Sequence, residues 1–507
     1  MDSQNVHPKK TKMVKVLNGI ERVGNKLPDP FMLFVYLAAS VIVISWMVSQ
    51  FNVSFIQPGV EEKVYIQNLM SAQGLQYMLE SMLENFVTFK PLGIVLGMML
   101  GVGLADKVGL LETAIKSTIV KAPKALVTYA VVFTGILGNI ASDAAFVIVP
   151  PLAAMVFYNV GRHPLAGLAA GFAGVGSGYT ANFMITGADA LLSGISTEVM
   201  ESLQSEIVVT PVDNWYFMVT SVFILSIVGA FVTEKIVEPR LGHYTGTVKK
   251  AFTKTKPIEM KGLTYATCAG LIYIVVIVTV LLLPNSPLTN EDGGIASSPF
   301  LSGIVPIILI FFIIIGVTYG VTLKKIENTR AIGQLMGEAM KDMSGFIVLI
   351  FAASQFIAYF EWTNIGSWIA VSGANLLESA GVTGLPVVIG FILLTAVLNL
   401  FIFSGSAQWA LEAPIFIKMF YFLGYHPAFI QVAYRIADSS TNVITPMNPY
   451  IIIILSFMKE YDKKAGIGTL IALMLPYSLL FLATWIMLLI LFILCGLPFG
   501  PGIGVYV

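Results

Sequence analysis

The chain has 507 residues, 56% of them hydrophobic and only 11% charged, and its mean hydropathy is +0.83. A water-soluble domain carries roughly a quarter charged residues, so most of this chain must have lipid as its solvent, which excludes soluble globular and disordered classes. With 29 basic and 29 acidic residues the formal net charge is zero, which leaves no charged face for a nucleic acid or another polyion.

The polar residues 1–30 read as a cytoplasmic tail, and the apolar run that follows reads as a retained membrane anchor, not a cleaved leader. A bilayer core of roughly 30 Å needs about 20 helical residues. Runs near that length occur at 31–51, 86–105, 215–233, 265–283, 301–320, 345–360 and 466–495. Lysine and arginine mark cytoplasmic segments. The tail has six, and the segments 234–262, 106–125, 324–342 and 459–464 have seven, four, four and three. The segments 191–214, 284–300 and 361–385 have none and are expected outside. Two regions remain, 126–190 and 386–458, and parity requires each to cross an odd number of times. A re-entrant hairpin followed by a broken helix satisfies both. The expected fold is therefore all-α and membrane-integral. It has nine transmembrane helices plus two re-entrant hairpins, with the N-terminus inside and the C-terminus outside. The organisation reads as tail 1–30, scaffold spans 31–125, first hairpin and broken helix 126–190, outer loop and scaffold spans 191–385, second hairpin and broken helix 386–458, and last span and C-terminal tail 459–507.

The two odd regions resemble each other. Phe157-Tyr158-Asn159-Val160-Gly161-Arg162-His163-Pro164 matches Phe420-Tyr421-Phe422-Leu423-Gly424-Tyr425-His426-Pro427 at five of eight positions. At the same offset of 263, Pro151 aligns with Pro414 and Ser177 with Ser440. Entered from opposite sides, the two copies form an inverted repeat, the arrangement that builds a midplane site from discontinuous helices. Hairpin tips are expected at 138–143 and 404–409, and helix breaks at 174–182 and 438–449. Their glycine, serine, threonine, asparagine and proline residues permit unwinding and supply oxygen ligands for a hard cation. Ser177 and Asn442 lie in these breaks and are candidates for ion coupling. Half-helix N-termini beside them favour an anionic substrate.

All but seven charged residues fall in tails and inter-span segments; the seven are Asp143, Arg162, Asp189, Glu412, Lys418, Arg435 and Asp438. An ionisable group inside a bilayer costs at least ~2.5–3.5 kcal/mol, so each needs a reason. Arg435 and Asp438, three apart, either satisfy each other or serve a substrate carboxylate and a coupling ion or proton. Asp189 is protonated, ion-liganding or paired at long range with Arg435. Arg162 is expected to snorkel beside its His-Pro turn, His163 and His426 to cap turns, and Glu412 and Lys418 are left open. Cys268 and Cys495 read as small buried hydrophobes, and Gly93, Gly97 and Gly101 as a face for close helix approach.

Several motifs resemble the AbgT family of p-aminobenzoyl-glutamate transporters. They are Ser142-Asp143-Ala144-Ala145-Phe146-Val147-Ile148-Val149-Pro150-Pro151, Gly161-Arg162-His163-Pro164, Leu191-Leu192-Ser193-Gly194-Ile195-Ser196-Thr197-Glu198, Asp213-Asn214-Trp215-Tyr216-Phe217, Arg435-Ile436-Ala437-Asp438-Ser439-Ser440 and Gly496-Leu497-Pro498-Phe499-Gly500-Pro501-Gly502. The resemblance implies a homodimeric secondary transporter of the bacterial inner membrane. Such a protein imports p-aminobenzoyl-glutamate or expels sulfonamide-type antimetabolites on an ion gradient, with no cofactor beyond a sodium ion or proton. Functional positions carried over are Asp189, Asn399, Ser406, Trp409, Pro427, Arg435, Asp438 and Pro446, with sodium expected at Asn399 and Ser406. Trp409 would stack on the aromatic ring, and the planar fork of Arg435 would take a carboxylate. A membrane-embedded enzyme would need a nucleophile–base pair or a metal cluster, and four histidines, two of them outside the odd regions, supply none. A channel is the other alternative class.

Overall fold

The computed structural model describes residues 28–58, 62–120, 122–141, 144–246, 256–290, 293–294, 298–381 and 384–507. The first 27 residues, with their six cations, and Ser142 and Asp143 at the first hairpin tip lie outside the described residues. In chain order come α1 (Pro30–Ser49), α2 (Ala72–Val87), α3 (Lys90–Lys107) and α4 (Leu110–Val120). The first odd region folds as two short arms, α5 (Val127–Leu137) and α6 (Ala144–Asn159), then two half-helices, α7 (Pro164–Ser177) and α8 (Gly187–Ser202). The longer helices that follow are α9 (Trp215–Val232), α10 (Pro257–Leu281), α11 (Ile304–Thr322), α12 (Thr329–Asp342), α13 (Ser344–Trp362) and α14 (Ile365–Ser379), with one-turn helices at Glu238–Leu241 and Pro299–Ser302. The second odd region again has two arms, α15 (Leu385–Leu398) and α16 (Gly405–Phe422), and two half-helices, α17 (Pro427–Thr441) and α18 (Ile451–Tyr461). The long α19 (Ile467–Leu494) comes last.

Among the described residues, seven helical stretches are long and apolar enough to cross a membrane: α1, α2 with α3, α9 with its extension to Leu241, α10, α11, α13 and α19. Their outward residues are apolar, as Leu271, Ile272 and Val275 on α10 illustrate, because lipid, unlike water, demands no polar surface. The half-helices of both repeats are shorter than a span, and their ends are formed by the same local chemistry. His163 and His426 are the N-caps of α7 and α17, and each ring Nδ1 accepts the backbone N–H two residues on at 3.2 Å. A proline follows at the first helical position in both, where its missing N–H costs nothing. Both turns contain a glycine with positive φ, 80° at Gly161 and 87° at Gly424.

The helix α7 lies buried along its whole length against α5 and α6. It is built of alanine and glycine because the hairpin arms press on it backbone to backbone. A Cβ at Gly167 would lie 2.5 Å from the Ala153 carbonyl oxygen, and one at Gly174 2.7 Å from that of Val132. The scaffold packs α1 on α13 and α3 on α11 and α12.

Several expectations need correction. Segments read as plain loops hold amphipathic helices: α2 in 52–90, α4 in 106–125, α12 in 324–342 and α14 in 361–385. The boundaries drawn at 190 and 458 fall inside α8 and α18, because Asp189 sits in the first turn of a helix that continues to Ser202. Cys268 and Cys495 are exposed on the apolar outside. Arg162 also has protein partners: its guanidinium lies over Phe157 and pairs with Glu238, Nε at 3.0 and 3.1 Å from the two carboxylate oxygens, and with the exposed Glu234. The glycine stripe of α3 is a contact at one residue only. A Cβ on Gly101 would lie 2.6 Å from the Leu309 carbonyl oxygen of α11, whereas Gly93 and Gly97 face nothing within 4 Å.

Gly101→Val is therefore expected to lower thermal stability in detergent by about 1–3 kcal/mol through overpacking. Gly93→Ala and Gly97→Ala should change it by no more than about 0.5 kcal/mol. Equal losses at all three positions would contradict this packing.

Candidate functional site

The two broken helices meet at their unwound ends. The Ser177 hydroxyl donates to the Ser440 carbonyl at 3.3 Å, so two residues matched by the repeat touch each other. Thr180 Oγ1 and Ser439 Oγ share a bond of 2.7 Å. The unwinding starts four residues later than expected in both copies, at 178 and 442, because Gly174–Ser177 and Asp438–Thr441 still complete a helical turn. The second tip is likewise earlier, at 399–404: Ser404 caps α16 by accepting the Ala407 N–H, so residues 405–409 are already helical.

A cavity of about 410 Å³ opens between these elements. Gly187 and Ala188 from the N-terminus of α8 and Ser404, Gly405 and Ser406 from the N-terminus of α16 form part of its wall. Two helix N-termini thus bring partial positive charge to one space. Six aromatic side chains, Phe146, Tyr179, Phe346, Phe403, Tyr434 and Tyr450, line it alongside aliphatic ones. Phe146 and Tyr450 stack with centroids 4.4 Å apart and planes 1° apart, which ties a hairpin arm of one repeat to the helix break of the other. Met99 and Met343 are shared with a second cavity of about 340 Å³ that contains Asp106, Lys107 and Asp342.

The polar corner of the main cavity is Asp438, Asn442 and Ser406, backed by Asn399. The Asn399 amide donates to the Asp438 carbonyl at 2.7 Å, to Thr441 Oγ1 at 2.8 Å and to Asn442 Oδ1 at 3.0 Å. Its own Oδ1 is buried without a partner, as is Asp438 Oδ1. The Asp438 carboxylate lies against tip two, so a Cβ on Gly405 would come within 2.9 Å of Oδ1. Unpartnered buried oxygens on neighbouring groups are what a bound cation or proton would satisfy. Asn139 holds the corresponding place at tip one, donating to the Gly178 carbonyl at 3.3 Å and leaving its Oδ1 unpartnered.

Behind the cavity wall lies a layer that binds the repeats together. Arg435 pairs with Asp189, not with Asp438, and its Nη2 also donates to the Thr180 carbonyl at 3.0 Å. Its Nη1 donates to Asn214 Oδ1 at 3.3 Å. Asp189 in turn accepts the Thr186 N–H at 2.7 Å, closing the first turn of α8. Gln431 continues the chain, donating to Asn214 at 2.9 Å and accepting from Ser196 at 2.7 Å. Trp409 is wholly buried in the same layer. Its indole donates to the Leu192 carbonyl and Ser196 Oγ, both at 3.2 Å, and its ring packs on Tyr434 at 4.5 Å.

Of the residues singled out from sequence, Ser406, Asp438 and Asn442 line the cavity, with Asn399 immediately behind. Arg435 and Trp409 do not line it: both Nη atoms of the guanidinium bond protein groups, with Nε buried and unpartnered, and Tyr434 stands where stacking by Trp409 was expected. Pro427 starts α17 after its cap, Pro446 lies within the second break but off the cavity wall, and Ser177 joins the two broken helices. Glu412 and Lys418 are buried and do not reach water; Lys418 pairs with Glu361. Missed altogether were the aromatic wall and the uncharged links Asn214 and Gln431, to which a census of charges is blind.

Breaking the buried pair from one side, by Asp189→Ala or Arg435→Met, should cost about 3–5 kcal/mol of stability, and the double variant should recover most of it. Thermal unfolding of the four proteins checks this; additive losses in the double variant would contradict a direct pair.

Residues 15–507 match the family model described as "AbgT putative transporter family". The chain is 42% identical over 497 residues, 98% of each chain, to the p-aminobenzoyl-glutamate transport protein of Escherichia coli (strain K12). It is similar to two solved structures. The first is the Alcanivorax borkumensis YdaH transporter, with a TM-score of 0.89 and 35% identity over 94% of this chain and 100% of that one. The second is Neisseria gonorrhoeae MtrF, described as illuminating a class of antimetabolite efflux pumps, with a TM-score of 0.90 and 41% identity over 96% of this chain and 100% of that one. The chain is a multi-pass membrane protein, a transporter and not an enzyme, and it belongs to the AbgT family.

Proposed function

We propose that this protein is a secondary active transporter. It carries p-aminobenzoyl-glutamate and related p-aminobenzoate-type aromatic carboxylates across the bacterial inner membrane, driven by a sodium or proton gradient. The observation that carries the reading is the pairing of an aromatic wall with two helix N-termini in one cavity. The substrate of the Escherichia coli relative joins one aromatic ring to a glutamate with two carboxylates, so ring and anions each meet a matching surface. The ring rests against Tyr450, Phe403 and Tyr179, and the carboxylates against the first turns of α8 and α16. Arg435 and Asp189 act as positioning residues that hold those turns in register. The coupling ion binds where Asn399 Oδ1 and Asp438 Oδ1 lack partners, with Asn442 and Ser406 beside them. The chain crosses nine times, counting each broken helix once, with its N-terminus cytoplasmic and its C-terminus periplasmic, and it works as a homodimer.

Proton-driven export of sulfonamide antimetabolites is the second reading, supported by the likeness to MtrF. A sulfonamide brings the ring but no carboxylate, so it uses the aromatic wall and leaves the helix N-termini without an anion.

Uptake of labelled p-aminobenzoyl-glutamate into proteoliposomes, under an inward sodium gradient at fixed pH, under an inward proton gradient, and under neither, tests the proposal. Accumulation above equilibrium that collapses in Asp438→Asn and Asn399→Ala supports a sodium symporter; no accumulation under either a sodium or a proton gradient would overturn import. Tyr450→Ala should raise KM about 3- to 10-fold, the worth of one aromatic contact, and should raise the half-saturating sulfonamide concentration by the same factor.

A further inference from the structure

Two buried acids take no part in the proposed site, Asp213 beside Thr210 and Glu412, and only Glu412 lies inside a hairpin. Glu412 sits on α16, two turns behind tip two, with 2% of its surface exposed. Thr395 Oγ1, from the facing arm α15, lies 2.6 Å from its Oε2, and Gln408 Nε2 donates to its Oε1 at 2.8 Å. Neither partner carries a charge. The cations on its own helix and on the elements packed against it are committed elsewhere: Arg435 of α17 to Asp189, and Lys418 of α16 to Glu361 of α13. On α15 there is no titratable residue. Asp438 and Tyr434 of α17 are the titratable groups whose fields couple to Glu412, and neither is positive. The remaining acids on packed helices are Glu198 and Glu201 of α8 and Glu378 of α14.

We infer that Glu412 is a proton-binding site inside hairpin two, which takes up and releases one proton as the hairpin moves. The hydrogen-bond geometry fits a neutral acid once the Thr395 hydroxyl hydrogen, which points at Oε2, turns away. A 2.6 Å contact between a carboxyl oxygen and a hydroxyl can run in either direction, so a protonated Oε2 donates to Thr395 while Oε1 goes on accepting from Gln408. An ionised Glu412 would be a carboxylate in an apolar hairpin with two neutral donors and no counter-ion, a state that needs water to be stable. Tip two borders the cavity through Ser404, Gly405 and Ser406, the side from which water would enter the hairpin. Opening of the tip is therefore the step at which the proton leaves to water, and closing the step at which it is retaken. The proton site shares no hydrogen bond with the Asn399–Asp438 corner, although its field reaches Asp438, and it rests on the transport reading through the movement of the hairpin.

Infrared difference spectroscopy of the full-length protein in liposomes tests this. The wild type should show a protonated-carboxyl C=O band that shifts in D2O, vanishes in Glu412→Gln and moves in frequency in Thr395→Val, which removes one hydrogen bond but not the acid. Glu412→Gln mimics the neutral acid and should fold with unchanged thermal stability. Its transport should lose the wild-type dependence on pH while keeping its dependence on sodium. No band sensitive to Glu412→Gln would overturn the site. A band that is present while Glu412→Gln keeps the wild-type pH profile would show a fixed structural proton and overturn its release. Failure of p-aminobenzoyl-glutamate uptake in the wild type, with the band intact, would instead count against the substrate assignment.

Discussion

The fold turns on one interaction: a hairpin-tip amide bonding the carbonyl that a broken helix leaves open. A helix that stops in the middle of a membrane has carbonyls with no water to take them, each costing several kcal/mol if left alone. Asn399 meets that cost at the end of α17 by donating to the Asp438 carbonyl, whereas Asn139 only adds a second bond to the Gly178 carbonyl just past α7, which the Ala181 N–H already reaches at 3.0 Å. Because an amide nitrogen is used for this, the amide oxygen is left over, and in both repeats it is buried and unpartnered. The device that makes a break tolerable thus also creates a place for a cation. Hairpin and broken helix are tied together by the same bond, so a movement of the tip is felt where the ion would sit.

Around that core the charges are arranged to cancel away from the cavity. Arg435 and Asp189 neutralise each other one layer back, and Arg162 with Glu238 and Lys418 with Glu361 do so further out. What remains facing the cavity is the Asp438 carboxylate and two helix N-termini. An anionic substrate and a cation that shields Asp438 stabilise each other there by simple Coulomb attraction, which is the minimum that coupled transport requires. Arginine serves here as a brace: its planar fork reaches the Thr180 carbonyl, Asn214 and Asp189 at once, on three separate segments of chain.

The architecture was largely legible in the sequence for physical reasons. Twenty-residue apolar runs announce spans because lipid permits little else, and the shared Gly-x-His-Pro turn announced the repeat because the same cap geometry starts α7 and α17. The site was legible only in part. Asp438, Asn442 and Ser406 stood out as polar residues in apolar surroundings, and they line the cavity. The partner of Arg435 was not decidable from spacing, since Asp189 is 246 positions away and Asp438 only three. Trp409 is the reverse case: a large aromatic at a hairpin tip invites a stacking role, but α16 has already begun at Gly405 and turns it inward onto Tyr434. Tyr179, Phe403 and Tyr450 carried no signal of their own, because 11% of the chain is aromatic and most of those rings only pack.

The central claim is that anion and cation share one site built by the second hairpin tip, so each must strengthen the binding of the other to the same degree. Calorimetric titration of p-aminobenzoyl-glutamate into the purified protein, in sodium and in choline and at acid and neutral pH, measures that coupling without transport. The account predicts that sodium or acid lowers Kd by about tenfold or more, a coupling of the usual 1–3 kcal/mol, and that Asn399→Ala abolishes the difference while still binding substrate weakly. A substrate affinity that is the same in all four conditions would contradict it.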